Sequence, residues 1–164
     1  MNRNTPHRLI KNADMYQTLS AMKEQAHKGK KDLTVRSLVE NLCKNIPSGD
    51  YASEVLACYY WVCRNIRYMR DIDKVEFLKS PARLLATGTG DCDDMSTLLA
   101  AMLMACGNQC RFVIVGFKPA PPANFSHVFV QARTPQGWVT LDPVSNKITK
   151  DMHQHTQIFQ GYDV

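Results

Sequence analysis

Cysteine, histidine and aspartate can together carry out nucleophilic acyl transfer when a helix start supplies the thiol and nearby strands supply the other two. The segment GTGDCDDMSTLLAAMLMACG, Gly88 to Gly107, offers the first of these. Met95, Leu98, Leu99, Met102, Leu103 and Cys106 recur there at helical spacing, Gly107 is the stop, and Cys92 falls in the first turn. Unpaired N–H groups and the helix dipole at such a start favour an anion, hence a thiolate. Asp91, Asp93 and Asp94 oppose it, because each nearby carboxylate raises a thiol pKa. The plainer reading makes Cys92 a buried small hydrophobe and the acids ordinary first-turn residues, stabilising the helix by about 0.3–1 kcal/mol each.

His127 and Asp142 complete the set. SHVFVQAR and GWVTLDPV read as two strands joined by the turn TPQG. With Thr134 opposite Gly137, Phe129 faces Asp142 and His127 faces Val144. His127 and Asp142 then share a face as diagonal neighbours, roughly 7–8 Å apart at the backbone. A carboxylate there orients the imidazole and leaves its other nitrogen to serve a thiol.

The elements that must position these residues change character halfway along the chain. A weak period runs from Met15 to about Gln25. LTVRSLVENLCKNI then puts Val35, Leu38, Val39, Leu42, Cys43 and Ile46 on one helical face, ended by Pro47, Ser48 and Gly49. Asp50 caps a helix with Ala52, Val55, Leu56, Tyr59, Tyr60, Cys63 and Ile66 as its stripe, and Ser80 with Pro81 opens a short one. CRFVIVGF is β-rich, KPAPPANF is a proline-rich loop, and residues 145–164 have no clear period and read as an irregular tail. Helices first and strands second is an α+β order.

The 164 residues suit one domain, with an ordinary 45% hydrophobic content. No apolar run is long enough to span a bilayer, and no export signal is seen, so a cytoplasmic location without membrane association is expected. The net charge of +5 includes HKGKKDLTVR, which has no stacking aromatics. Nucleic-acid binding through Lys28, Lys30 and Lys31 therefore ranks last, behind a solvated basic turn. Six cysteines in a reducing compartment argue against disulfides. Most are expected to be buried as small hydrophobes, although Cys106, Cys110, His153 and His155 are a conceivable metal set.

GDCDDMSTLLAAMLMACGNQCRFVIV, SHVFVQA and GWVTLDPV, in that order, resemble the transglutaminase-like superfamily. The resemblance implies a papain-like core, a helical N-terminal half whose nucleophile-bearing helix packs on a C-terminal antiparallel sheet. It runs from about Ala52 to Val144, leaving a helical extension over 1–50, and a compact bacterial or phage member is the nearer comparison. By it Cys92 is the nucleophile, His127 the general base and acid, and Asp142 the orienting residue. The oxyanion hole combines the Cys92 N–H with a side chain among Tyr68, Trp61 and Asn65. The chain departs from many members in having Val128-Phe129 after the histidine where they have Ala-Trp. Calcium-using bacterial proteases with a similar Asp-Cys-acid stretch suggest Ca²⁺ at Asp91, Asp93 and Asp94 as a secondary possibility; no cofactor is required otherwise.

The expected activity is cysteine-dependent hydrolysis of a peptide or amide bond in a protein or peptide substrate, through a thioester. Cross-linking transglutamination or deamidation shares the first half-reaction. A catalytically silent binding module on the same fold is the rival of another class.

Overall fold

The computed structural model of the chain describes residues 7–10, 15–70, 76–116, 126–145, 147–149 and 158–164. Strand β1 (His7–Ile10) precedes helices α1 (Met15–Gly29), α2 (Leu33–Cys43) and α3 (Tyr51–Asn65). Short strands β2 (Arg67–Tyr68) and β3 (Glu76–Lys79), helix α4 (Pro81–Thr87) and strand β4 (Thr89–Gly90) lead to helix α5 (Cys92–Ala105). Strands β5 (Cys110–Gly116), β6 (His127–Thr134), β7 (Gly137–Asp142), β8 (Lys147–Thr149) and β9 (Ile158–Asp163) follow.

Helix boundaries come from side chains that satisfy open N–H groups. Asp32 accepts from Thr34 and Val35, Asp50 from Ser53, and Ser80 from Arg83 with Pro81 in the first turn. Helices α1 to α4 all pack against α5, which is buried at every residue from Asp94 to Leu103. A helix apolar on every side belongs inside a core rather than on its surface. Leu98, Leu99 and Leu103 are fully buried there and contribute about 1.5–3 kcal/mol each.

The far side of α5 meets a five-stranded antiparallel sheet in the order β8-β7-β6-β5-β9. Phe112, Ile114, Val128, Val130, Ala132 and Leu141 join the α5 core, while Val113, Val115 and Phe129 form a second small cluster. This is the expected α+β arrangement of helices on a C-terminal antiparallel sheet. The β6–β7 hairpin has the expected register, Thr134 opposite Gly137 through Val130 opposite Leu141.

Two expectations need correction. The tail is not irregular: β8 and β9 lie within it, and β9 pairs with β5 along the edge of the main sheet. That pairing joins residues far apart in sequence, so no local period announces it. The N-terminal fifty residues are not wholly helical, since β1 pairs antiparallel with β3. Leu19, Met22 and Ala26 of α1 are buried in the main core. The proline-rich stretch KPAPPANF lies outside the described residues. Among the described residues no helix is long and apolar enough to cross a membrane.

Candidate active site

The turn before α5 is held by a parallel pair of two-residue strands, with Arg67 opposite Thr89 and Tyr68 opposite Gly90. Gly90 leaves no room for a side chain, since a Cβ would stand 2.7 Å from Leu84 Cδ1 and from Asp94 Cβ. Asp91 then caps α5: its Oδ1 accepts from the N–H groups of Asp93 and Asp94, each at 3.1 Å. The Cys92 N–H, first in the helix, is not among those that the cap takes. Asp94 reaches back to the Asp91 N–H to close a capping box.

The acids around Cys92 have separate tasks. Asp94 is almost fully buried and accepts from the Lys79 backbone at 2.7 Å and from its Nζ at 2.9 Å. Burial pushes its pKa up, in spite of those bonds. Asp91 is the cap, and Asp93 lies against the thiol, 3.6 Å from Cys92 Sγ. Among the described residues, the group whose three ligand atoms lie within 4.8 Å of one another is one of cysteines elsewhere, not these acids.

The first turn of α5 docks on the main chain of Val128, the residue after His127. Ser96 Oγ donates to the Val128 carbonyl at 3.2 Å, and the Val128 N–H acts on Cys92. Cys92 and Ser96 are four residues apart and therefore on one helical face. The β6–β7 ladder stops at Val130 opposite Leu141, before it reaches Val128. That leaves the Val128 main chain to the helix.

His127 and Asp142 meet on the hairpin as the register requires, with Nε2 to Oδ2 at 2.8 Å. Their side chains are only 14% and 2% exposed. The other carboxylate oxygen of Asp142 accepts from the N–H groups of Val144 at 3.0 Å and Ser145 at 3.3 Å, so the Asp-Pro turn orients the acid. Tyr59 Oη donates to the Asp142 carbonyl at 3.1 Å, fixing the same residue from α3. Burial would raise the Asp142 pKa, but the hydrogen bond and charge of His127, with the Ser145 contacts, hold it below the usual carboxylate value. An ionised Asp142 obliges Nε2 to carry a proton, which makes Nδ1 the basic nitrogen of a neutral imidazole.

The Cys92 thiol is pushed up from its ordinary pKa, by burial first and then by Asp93 and Asp91, while the Val128 N–H acts weakly against them. Of the side chains considered for an oxyanion hole, β2 brings Tyr68 to this end of α5. Burial raises its phenol pKa, and the charges of Cys92 and Asp91 add to the shift. Trp61 packs against the core, and Asn65 donates to the Trp61 carbonyl at 2.8 Å.

The metal set considered from the sequence lies partly outside the described residues. Cys110 is buried and turns toward the Ala100 carbonyl, Cys106 meets Cys43 and Cys58 instead, and His153 and His155 lie outside the described residues. Ser96, Lys79 and Tyr59 are the supporting residues that sequence reasoning missed. Only Ser96 carried a signal, its four-residue spacing from Cys92.

No curated protein matches the chain by sequence. Calcium-bound LapG of Legionella pneumophila superposes with a TM-score of 0.58 at 20% identity, over 85% of this chain and 80% of LapG. A proposed cysteine protease from Cytophaga hutchinsonii gives 0.59 at 14% identity, over 96% of this chain and 53% of that one. A chain of the Rad4/XPC nucleotide excision repair complex, which opens DNA duplex, gives 0.54 at 14%, over 90% and 46%. This chain thus spans about half the length of two of these three, and the likeness is one of fold. The sequence pattern of the transglutaminase-like superfamily matches residues 37–143, which begins within α2 and ends at the residue after Asp142. The chain belongs to the transglutaminase-like superfamily.

Proposed function

We propose that the protein is a cysteine-dependent acyl-transfer enzyme that hydrolyses a peptide or amide bond in a protein or peptide substrate. The observation that carries the reading is the buried His127–Asp142 pair, on the strand whose next residue, Val128, is held by Ser96 from the helical face that carries Cys92. Cys92 is the nucleophile, His127 the base and then the acid, and Asp142 the orienting residue.

The raised thiol pKa decides how the site would act. Cys92 rests as a neutral thiol, and His127 Nδ1 takes its proton as the sulfur attacks the substrate carbonyl. Negative charge moves to the carbonyl oxygen, where the Cys92 N–H and the Tyr68 hydroxyl are the candidate donors. A phenol with a raised pKa keeps its proton and so remains a donor. The imidazolium, stabilised by Asp142, protonates the departing amine, leaving a thioester at Cys92. Water activated by His127 hydrolyses that thioester and regenerates the thiol. A lysine amine in place of water would make a cross-link, and a glutamine side chain as acyl donor would make the same hydrolysis a deamidation.

The suppressed ionisation of Cys92 also favours a second reading, a binding module that keeps the fold without turnover. A brief substoichiometric iodoacetamide pulse across pH 5–9, read by peptide mapping, separates the two. The enzyme reading expects Cys92 to be alkylated faster than the other five cysteines near neutral pH, with the advantage lost in His127→Ala. Labelling of Cys92 at a rate indifferent to His127 would sink it. If turnover is found, Tyr68→Phe is expected to lower kcat by about 10²-fold with little change in KM. An equal loss in binding would instead place Tyr68 in substrate recognition.

A further inference from the structure

The opposite end of α5 carries a second cluster of thiols. Cys43 is the last residue of α2, Cys58 lies in the middle of α3, and Cys106 is the C-cap of α5. Cys106 Sγ is 3.7 Å from Cys58 Sγ and 3.8 Å from Cys43 Sγ, and all three sulfurs lie within 4.8 Å of one another. We propose that Cys43, Cys58 and Cys106 bind a zinc ion as three thiolates, with its fourth position facing Glu54.

The spacing fits. In a tetrahedral site with Zn–S bonds near 2.3 Å, two sulfurs stand about 3.8 Å apart. Two such edges share Cys106 here. Three helices far apart in sequence converge to build the group, so no helical repeat produces it. Two of the three sulfurs stand at helix C-termini, where the backbone carbonyls and the dipole favour a cation. Glu54 precedes Cys58 by one turn on α3, and its charge acts on both Cys43 and Cys106. Asn108 Nδ2 reaches Glu54 Oε2 at 3.5 Å, so the carboxylate has a partner behind it.

Access fits as well. Cys58 is buried, whereas Cys43, Cys106 and Glu54 are half-buried, so an ion can enter from solvent without opening the core. Binding breaks three S–H bonds, forms three Zn–S bonds and releases three protons to solvent. It needs no oxidant or reductant, since all six cysteines are free thiols. Along the 14 residues of α5 the cluster stands roughly 20 Å from Cys92, so the ion would clamp α2, α3 and α5 rather than join acyl transfer.

The test uses the full chain, reduced and stripped by a chelator, then titrated with Zn²⁺ and with Co²⁺. One equivalent of metal per chain is expected. The cobalt form should show intense near-ultraviolet thiolate-to-metal charge transfer together with tetrahedral visible bands. Both signals should persist in Cys92→Ser and Cys63→Ser and vanish in Cys106→Ser and Cys43→Ser. Glu54→Gln should weaken zinc affinity about tenfold with the charge-transfer band retained. Zinc should raise the Tm of the stripped wild-type chain by several degrees. A reduced, folded wild-type chain that takes up no metal above the Cys106→Ser background would overturn the proposal, whether or not those variants fold. Cobalt bound without a thiolate band, or with the band unchanged in Cys106→Ser, would overturn it too.

Discussion

Asp142→Asn is expected to lower kcat/KM on a peptide or amide substrate by about 10³-fold while the chain stays folded. The cause is a tautomer. Asp142 accepts from His127 Nε2, which leaves Nδ1 as the nitrogen able to take the thiol proton. An asparagine that turns its amide N–H₂ toward Nε2 makes that nitrogen the acceptor, and the proton moves to Nδ1. The base is then present but occupied. The other carboxylate oxygen accepts from Val144 and Ser145, and the asparagine carbonyl can keep that turn. A loss of activity with an unchanged melting curve would match this account, and equal loss of both would mean that the turn had collapsed.

The same carboxyl gives a pH dependence of stability whose sign is fixed. Its folded pKa lies below the ordinary value of 3.8, so its contribution is complete above that pH. It is lost as the pH falls from there through the folded pKa. Acid unfolding curves of wild type and Asp142→Asn should therefore converge at the acid end. Curves that stay parallel would remove the charge of Asp142 from the account.

Asp94→Ala is expected to lower stability strongly, by about 3 kcal/mol, or a fall in Tm of about 6–12 °C. The carboxylate is buried, and one oxygen takes the Lys79 N–H while the other takes the Lys79 amine. Alanine removes the acceptor of both and also half of the capping box at the start of α5. Lys79 is partly exposed and can swing into water, which keeps the cost at the low end for a buried pair. Asp94→Asn, which retains an acceptor for the backbone N–H, should recover part of the loss. If differential scanning gave Asp94→Ala the melting temperature of wild type, the tie to Lys79 would not be a structural one.

How much of this was legible in the sequence follows from how local each feature is. The boundaries of α4 and α5 were readable because Ser80, Pro81, Gly88 and Gly107 each impose a backbone state within a few residues. The hairpin register was readable because the turn fixes it and the side-chain period of two carries it to His127 and Asp142. β9 was not, since its partner lies some fifty residues upstream and its sequence has no alternation to show a buried face. The tie from Asp94 to Lys79 and the brace from Tyr59 to Asp142 were hidden for the same reason. The three acids read as a group because they are neighbours in sequence, whereas on the helix each meets a different part of the fold. The cysteines misled in the opposite way. Cys106 and Cys110 are close in the chain, yet the sulfurs that meet Cys106 come from two other helices.

The contact between Cys92 and the histidine strand runs through the amide of residue 128, with the carbonyl of that residue held by Ser96. Any residue other than proline supplies both groups, so this joint is written in no letter of the sequence. Substitutions at position 128 can alter the packing of the core while the first turn of α5 stays at the same strand edge. Val128, which stands here where the resemblance leads one to expect alanine, can therefore differ without a change in the main-chain groups that meet α5.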